Sequence, residues 1–282
     1  MRIEARNLSL SYGQVAALRD VSADVQGRVI GILGATASGK TSLLQVIAGI
    51  LTPSGGEIRI DGEPLSARLQ RDMAFVPQEP GVFPFFQRPK ETLSLALEVK
   101  GIRASDYAQR FLDTLGLSEE DRSASGYSTG MKQKVRIAYA MIHTPRLLLL
   151  DEPMTGLDLR ERFRVLRMLD RLRGLVSIIF STHHPEEAAA VCDEIMILNK
   201  GRVVVWGNPA EITSRAVGHV FEASTSLQRL PLETEWRLVS AERTGESLHL
   251  RTVGNSPPDG RPVPPRLTDA YLLLTSEPES ND

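Results

Sequence analysis

Eight residues constrain this chain more than any others: Gly34-Ala35-Thr36-Ala37-Ser38-Gly39-Lys40-Thr41. They fit the spacing G-x-x-x-x-G-K-[ST], in which a glycine-bounded loop turns backbone N–H groups around a phosphate. The flanks agree with it. Val29-Ile30-Gly31-Ile32-Leu33 is an apolar run of strand length, and Leu43 to Gly49 has the character of a buried helix stopped by glycine. Strand, loop and helix in that order set the N–H groups of residues 36–41 at the positive end of a helix dipole. There Lys40 bridges the β- and γ-phosphates and the Thr41 hydroxyl reaches Mg²⁺, with Ser42 next in the candidate set.

A loop of this kind needs an acidic partner at a strand end to hold the metal. Leu147-Leu148-Leu149-Leu150-Asp151-Glu152 supplies one: four leucines for a central strand, then two carboxylates that are costly to bury without a metal or a reaction. Asp151 is the expected Mg²⁺ ligand. Glu152, expected to point the other way along the strand, can polarise a water towards the γ-phosphate. Two further polar residues end apolar strands: Gln78 after Met73 to Val76, and His183 after Val176 to Phe180. Ligands of α/β sheets collect at such carboxyl ends. Ser128-Thr129-Gly130-Met131 opens a helix, capped by Ser128, whose buried side is Val135, Ala138 and Met141. Its glycine-containing start is also a possible anion site. Tyr12, at a turn with Gly13, is either a stacking platform for a base or a packed aromatic.

Composition removes other classes. Net charge is −2, which argues against bulk binding of nucleic acid or anionic membrane. Cys192 is the only cysteine, so no internal disulfide forms and a reducing compartment is expected. Met1 to Arg6 is too charged for a secretion signal, and no apolar run reaches the roughly 18 residues of a membrane span.

The expected organisation is an α/β P-loop core over residues 1–212, with an antiparallel β subdomain near the start and a helical insertion at about 85–140. Asp61-Gly62, after Glu57 to Ile60, signals a hairpin. Within the insertion, Glu91 to Lys100 and the stretch from Ser105 to Leu115 have helical character. Before them lies a proline-rich loop with Phe83, Phe85 and Phe86, folded on the core or offered to a partner. The arginine-rich stretch from Arg160 to Arg173 follows Gly156-Leu157-Asp158 as a solvated helix face. After Gly207 the character changes. Residues 213–276 form a small α+β appendage, and 277–282 a polar, disordered tail.

With these residues in view, the chain resembles the ATP-binding subunit of ABC transporters over Met1 to about Ile212. The motifs occur in the family's order: the P-loop Gly34 to Thr41, the glutamine Gln78, the signature Ser128-Thr129-Gly130-Met131-Lys132-Gln133, the strand and carboxylates Leu147 to Glu152, the D-loop Gly156-Leu157-Asp158, and the switch histidine His183. Tyr12 falls where the family stacks adenine. Three departures stand out. Ala37 replaces a usual glycine, Thr129 the first glycine of the commoner signature, and Met131 its glutamine. The signature as it stands, with Ser181 to Ile212 and Pro265 to Leu272, looks like the drug and antibiotic exporter subgroup, whose permease is a separate chain.

The resemblance implies an ATPase that uses ATP and Mg²⁺. Glu152, His183 and Lys40 would carry the chemistry, and Thr41, Gln78 and Asp151 would hold the metal. Ser128, Thr129, Gly130 and Met131 would close on the nucleotide of a second subunit, with Asp158 at the dimer contact. The second subunit is another copy or a related chain, and an integral-membrane permease recruits the pair to the cytoplasmic face. Two other readings are a soluble ABC-type ATPase without a permease and a degenerate, non-hydrolysing nucleotide module. The single short-insertion domain speaks against the first, and Asp151, Glu152 and His183 against the second.

Overall fold

The computed structural model describes residues 1–79, 127–142, 144–226, 236–245, 247–255 and 260–276, together with positions 91, 94 and 98, which are helical. The aromatic loop with Phe83, Phe85 and Phe86, the helix from Ser105 and the terminal tail lie outside them.

Two hydrophobic faces of one sheet organise the described chain. The strands β3 (Val29–Leu33), β6 (Met73–Val76), β7 (Leu147–Leu150), β8 (Ser177–Thr182), β9 (Glu194–Asn199) and β10 (Arg202–Gly207) form a six-stranded sheet in the order β10-β9-β3-β8-β7-β6. All pairs are parallel except the edge pair β9–β10, which closes around Lys200-Gly201. Parallel strands are covered on both faces, so their side chains are apolar in both directions. Leu148, Leu150, Ile178, Phe180, Ile195 and Ile197 join one core. Leu147, Leu149, Ile179, Met196 and Leu198 join the other.

The second core is closed by α1 (Lys40–Ile47) and by an antiparallel sheet of β1 (Arg2–Tyr12), β2 (Val15–Gln26), β4 (Gly55–Ile60) and β5 (Glu63–Pro64), in the order β2-β1-β4-β5. Asp61 and Gly62, both at positive φ, make the two-residue turn between β4 and β5. Tyr12 ends β1, so the turn proper begins at Gly13, one residue later than the sequence suggested. A short helix, α2 (Ala67–Arg71), leads into β6.

The first core is covered by α3 (Thr129–Met141), α4 (Leu159–Leu172), α5 (Pro185–Val191) and α6 (Pro209–Ser214). Of the arginines on α4, Arg160, Arg164, Arg167 and Arg171 are exposed as expected. Arg162 is instead half-buried and ion-pairs with Glu187 at 3.6 Å.

The chain after α6 forms a third sheet, β12-β13-β11-β14, from β11 (Val220–Ser226), β12 (Trp236–Thr244), β13 (Ser247–Gly254) and β14 (Arg261–Pro262), with a final helix α7 (Leu267–Thr275). Val220, Val253, Leu267 and Ala270 belong to the same core as Val29 and Leu33. Thr268 Oγ1 donates to Glu186 at 2.5 Å, and Asn199 Nδ2 to the Thr275 carbonyl at 3.2 Å. No described helix is long and apolar enough to cross a membrane.

Candidate nucleotide site

Four parallel strands end side by side, and each is followed by a residue that the sequence singled out. β3 runs into Gly34, β6 into Gln78, β7 into Asp151 and β8 into His183. The register Leu33↔Thr182 and Leu150↔Phe180 sets Gly34 beside His183 and Asp151 beside Ser181.

The loop after β3 is held by its own backbone. Ser38 N–H donates to the Ala35 carbonyl at 3.1 Å, and the Ser38 carbonyl accepts from Gly201 N–H at 3.0 Å. Gly39 caps α1 at φ 103°, and a Cβ there would lie 2.6 Å from the Ala17 carbonyl oxygen. Only glycine fits that position. Ala37, the residue that departs from the family's glycine, takes φ 64°. It is exposed, so its Cβ has room, and the cost is confined to a left-handed backbone. Lys40 is 4% exposed and folds back over the loop, donating to the Gly34 and Ala35 carbonyls at 2.9 Å each.

The same ammonium lies 3.1 Å from Glu152 Oε1. The other carboxylate oxygen, Oε2, accepts from Thr155 Oγ1 at 2.7 Å and lies 2.9 Å from His183 Nδ1. Burial alone raises the Glu152 pKa, but Thr155, Lys40 and His183 together outweigh it and hold the carboxyl below its usual range. His184, whose ring is 4.1 Å from that of His183, is kept below the usual histidine range, chiefly by burial.

Glu152 is not a continuation of strand alternation, as the sequence suggested. β7 ends at Leu150, and Glu152 has φ 44°, a left-handed conformation that is uncommon outside glycine. The turn, not the pleat, aims its carboxylate at Lys40 and His183. Asp151 is 2% exposed, and among the described residues the one group donating to its carboxylate is Ser181 Oγ, at 2.7 Å.

The remaining expected residues take these places. Tyr12 is 49% exposed, which removes the packed-core alternative, and its hydroxyl is 3.4 Å from Ser42 Oγ. Ala35, Thr36 and Thr41 are exposed on the loop. Gln78 is exposed in a segment whose flanking carbonyls, Pro77 and Glu79, both accept from Arg136. Ser128 caps α3, accepting from Met131 N–H at 3.3 Å; Thr129 is exposed and Gly130 buried. Asp158 caps α4, accepting from Glu161 N–H at 2.9 Å. No sequence pattern singles out Thr155, Ser181 or Arg136. The one signal available for Ser181 is a hydroxyl at the end of an apolar strand.

Two observations fit a polyphosphate and a hard cation. Ser38 Oγ is buried inside the loop with no hydrogen-bond partner among the described residues. The buried Asp151 carboxylate has a single donor among the described residues and spare oxygen valence, and Thr41 and Gln78 offer a hydroxyl and an amide oxygen of the kind Mg²⁺ takes. Among the described residues no cluster of three or more His, Cys, Asp or Glu side chains is arranged to hold a metal.

A glycine-bounded loop at a helix start, a lysine folded over it and an Asp-Glu pair after β7 of the same sheet define a P-loop ATPase cassette. The comparisons with known proteins make the class specific. The family model described as ABC transporter matches residues 18–155. The chain is 33% identical over 227 residues to the uncharacterized ABC transporter ATP-binding protein YxlF of Bacillus subtilis (strain 168), covering 79% of this chain and 76% of that one. It is 32% identical over 222 residues to the Fe(3+) ions import ATP-binding protein FbpC of Escherichia coli O157:H7, covering 74% of this chain and 63% of that one. Among solved structures, cbiO1 from Clostridium perfringens, part of the ABC transporter complex cbiONQ, superposes with TM-score 0.68 at 27% identity over 75% of this chain and 90% of that one. A bacterial ABC transporter cassette solved as a dimer superposes with TM-score 0.62 at 25% identity, over 73% and 98%. The chain belongs to the ABC transporter ATP-binding proteins, and is the ATP-hydrolysing subunit of a transporter.

Proposed function

We propose that two such subunits close head to tail around two ATP molecules and drive a separate membrane permease. The observation that carries this reading is the Glu152 carboxylate, held at once by Lys40 and His183 at the mouth of the phosphate loop. Tyr12 would stack the adenine, and the loop 34–42 would cradle the phosphates, with Lys40 exchanging its loop carbonyls for phosphate oxygens. Thr41, Gln78 and Asp151 would hold Mg²⁺, which screens the charge developing on the transferred phosphoryl group. Glu152, kept ionised, takes the proton from the attacking water as the bond from the γ-phosphorus to the β–γ bridging oxygen breaks. His183 holds water and γ-phosphate in line.

One chain carries one loop and one signature start, so the site needs a second subunit. Ser128, Thr129, Gly130 and Met131 would face the partner's ATP, with Asp158 at the contact. ATP then stabilises the closed pair by touching both halves, and hydrolysis releases it. The segment from Gln78 towards position 89 would pass the motion to the permease, placing the subunit on the cytoplasmic face of the membrane. Residues 1–212 serve as the ATP-binding domain and 213–276 as an accessory domain. The direction of transport is proposed as export. Support comes from the Ser128 to Met131 signature and the stretch Ser181 to Ile212, although FbpC is named for import.

Light scattering on Glu152→Gln, with and without ATP–Mg²⁺, tests the scheme. We expect an ATP-dependent dimer and turnover lowered by about two to four decades, the usual worth of a positioned general base. Near wild-type turnover removes Glu152 from the role, and a persistent monomer with permease present removes the closed pair.

A further inference from the structure

Ser181 is fully buried near the end of β8, where its hydroxyl bonds both to the Asp151 carboxylate and to the main chain of Glu152. Its hydroxyl has one proton to give and lone pairs to offer. The proton goes to Asp151 Oδ1 at 2.7 Å, and a lone pair accepts the Glu152 N–H at 2.8 Å. The parallel register makes this possible: Leu150 pairs with Phe180, so residues 151 and 181 come level just past the ladder.

Each bond answers a specific need. The Asp151 main chain is tied to the other neighbouring strand, its N–H donating to the Val76 carbonyl at 2.9 Å. That bond fixes the backbone and not the carboxylate; Ser181 engages Oδ1, and Oδ2 has no hydrogen bond among the described residues. Glu152 sits at φ 44°, a strained conformation that persists only where surrounding bonds over-determine it. The Ser181 hydroxyl satisfies the N–H of that strained residue. Its carbonyl accepts from Thr155 N–H at 3.2 Å, and its carboxylate takes the three contacts already described.

We infer that Ser181 is a positioning residue for both acidic groups: it selects the Asp151 oxygen presented to Mg²⁺ and holds the left-handed turn that aims Glu152. The inference rests on the reading of Asp151 as the metal ligand and Glu152 as the base. Partners that orient a metal ligand are commonly worth 10–100-fold in metal affinity or activity, so deleting this one acts on metal binding and not only on packing.

The test uses Ser181→Ala and Ser181→Cys in the full chain. Cysteine keeps the volume while its thiol is a weak donor, so it reports even where alanine loosens the fold. Mn²⁺ affinity is read by electron paramagnetic resonance with a non-hydrolysable ATP analogue bound, and analogue affinity is read separately in EDTA. We expect both variants to lose about tenfold or more in Mn²⁺ affinity and a similar factor in kcat. Analogue affinity in EDTA should stay within about twofold of wild type, because the phosphate loop is untouched. Wild-type Mn²⁺ affinity in Ser181→Cys overturns the proposal, whatever happens to its melting temperature. Asp151→Asn is measured beside them. If it too binds Mn²⁺ like wild type, the metal-ligand reading fails, an outcome distinct from failure of Ser181 alone.

Discussion

Asp193 joins the start of β3 to the turn into β9. One carboxylate oxygen accepts from Arg28 N–H at 2.7 Å and Val29 N–H at 2.9 Å, and the other accepts from the Arg173 guanidinium. Burial raises its pKa, but the two N–H groups and Arg173 more than offset this and hold it below the usual aspartate range. The folded protein therefore releases this proton more readily than the unfolded chain, and in the window between the two values the unfolded chain binds more protons. Stability from Asp193 is complete above the ordinary aspartate pKa of about 4 and drains as pH falls through the depressed folded value. Asp193→Asn should melt lower than wild type at neutral pH, and the gap should narrow as pH falls to about 4 and below. Melting temperatures across that range decide it, and a gap that does not change with pH would remove the carboxylate from the account.

At the level of elements, the signature helix and the helix after Asp158 are matched through one close approach. A Cβ on Gly130 of α3 would lie 2.6 Å from Glu161 Oε2 and 2.9 Å from Glu161 Cβ on α4. Glu161 cannot simply swing away. It is buried, pairs with Arg164 at 2.5 Å and lies 3.8 Å from Lys134. Gly130→Ala should therefore cost about 1–3 kcal/mol, the usual penalty of overpacking. Adding Glu161→Ala should recover part of it, with a coupling of roughly 0.5–3 kcal/mol between the two sites in urea unfolding. Strict additivity would mean that the helices do not meet here. The sequence marked Gly130 as part of a helix start with Ser128 as cap, and it marked β3 and β7 by their apolar runs. Such features are local and were legible. What was not legible depended on pairing between distant segments: that Ser181 comes level with Asp151, that Glu161 closes over Gly130, and that Glu152 leaves the strand through a left-handed turn. No local pattern encodes a strand register or a positive φ at a glutamate.

At the scale of the whole molecule, the question is whether the last sheet is carried by the cassette or stands apart. Alternation in β12 and β13 was visible in the sequence, but the join was not, since it links Thr268 to Glu186 and Thr275 to Asn199 across 82 and 76 residues. The join is apolar as well as polar: Val220, Val253, Leu267 and Ala270 share a core with Val29 and Leu33, the strand that delivers the phosphate loop. Inside the appended unit, Asp269 is fully buried and takes both Arg251 Nε at 3.0 Å and a terminal guanidinium nitrogen at 2.7 Å. Asp269→Asn leaves the nearly buried Arg251 without its main counter-charge. Breaking such a pair from one side costs about 3–5 kcal/mol. If the core is continuous, that loss belongs to the whole chain. The variant should then melt in a single transition lowered by on the order of 10 °C, and that transition should still rise when ATP–Mg²⁺ is added. If the sheet were independent, calorimetry would show an early transition that ignores nucleotide and a later one, sensitive to nucleotide, at the wild-type temperature. The shared core argues for the first outcome, because Val220 and Val253 belong to the same apolar cluster as Val29 and Leu33 of β3.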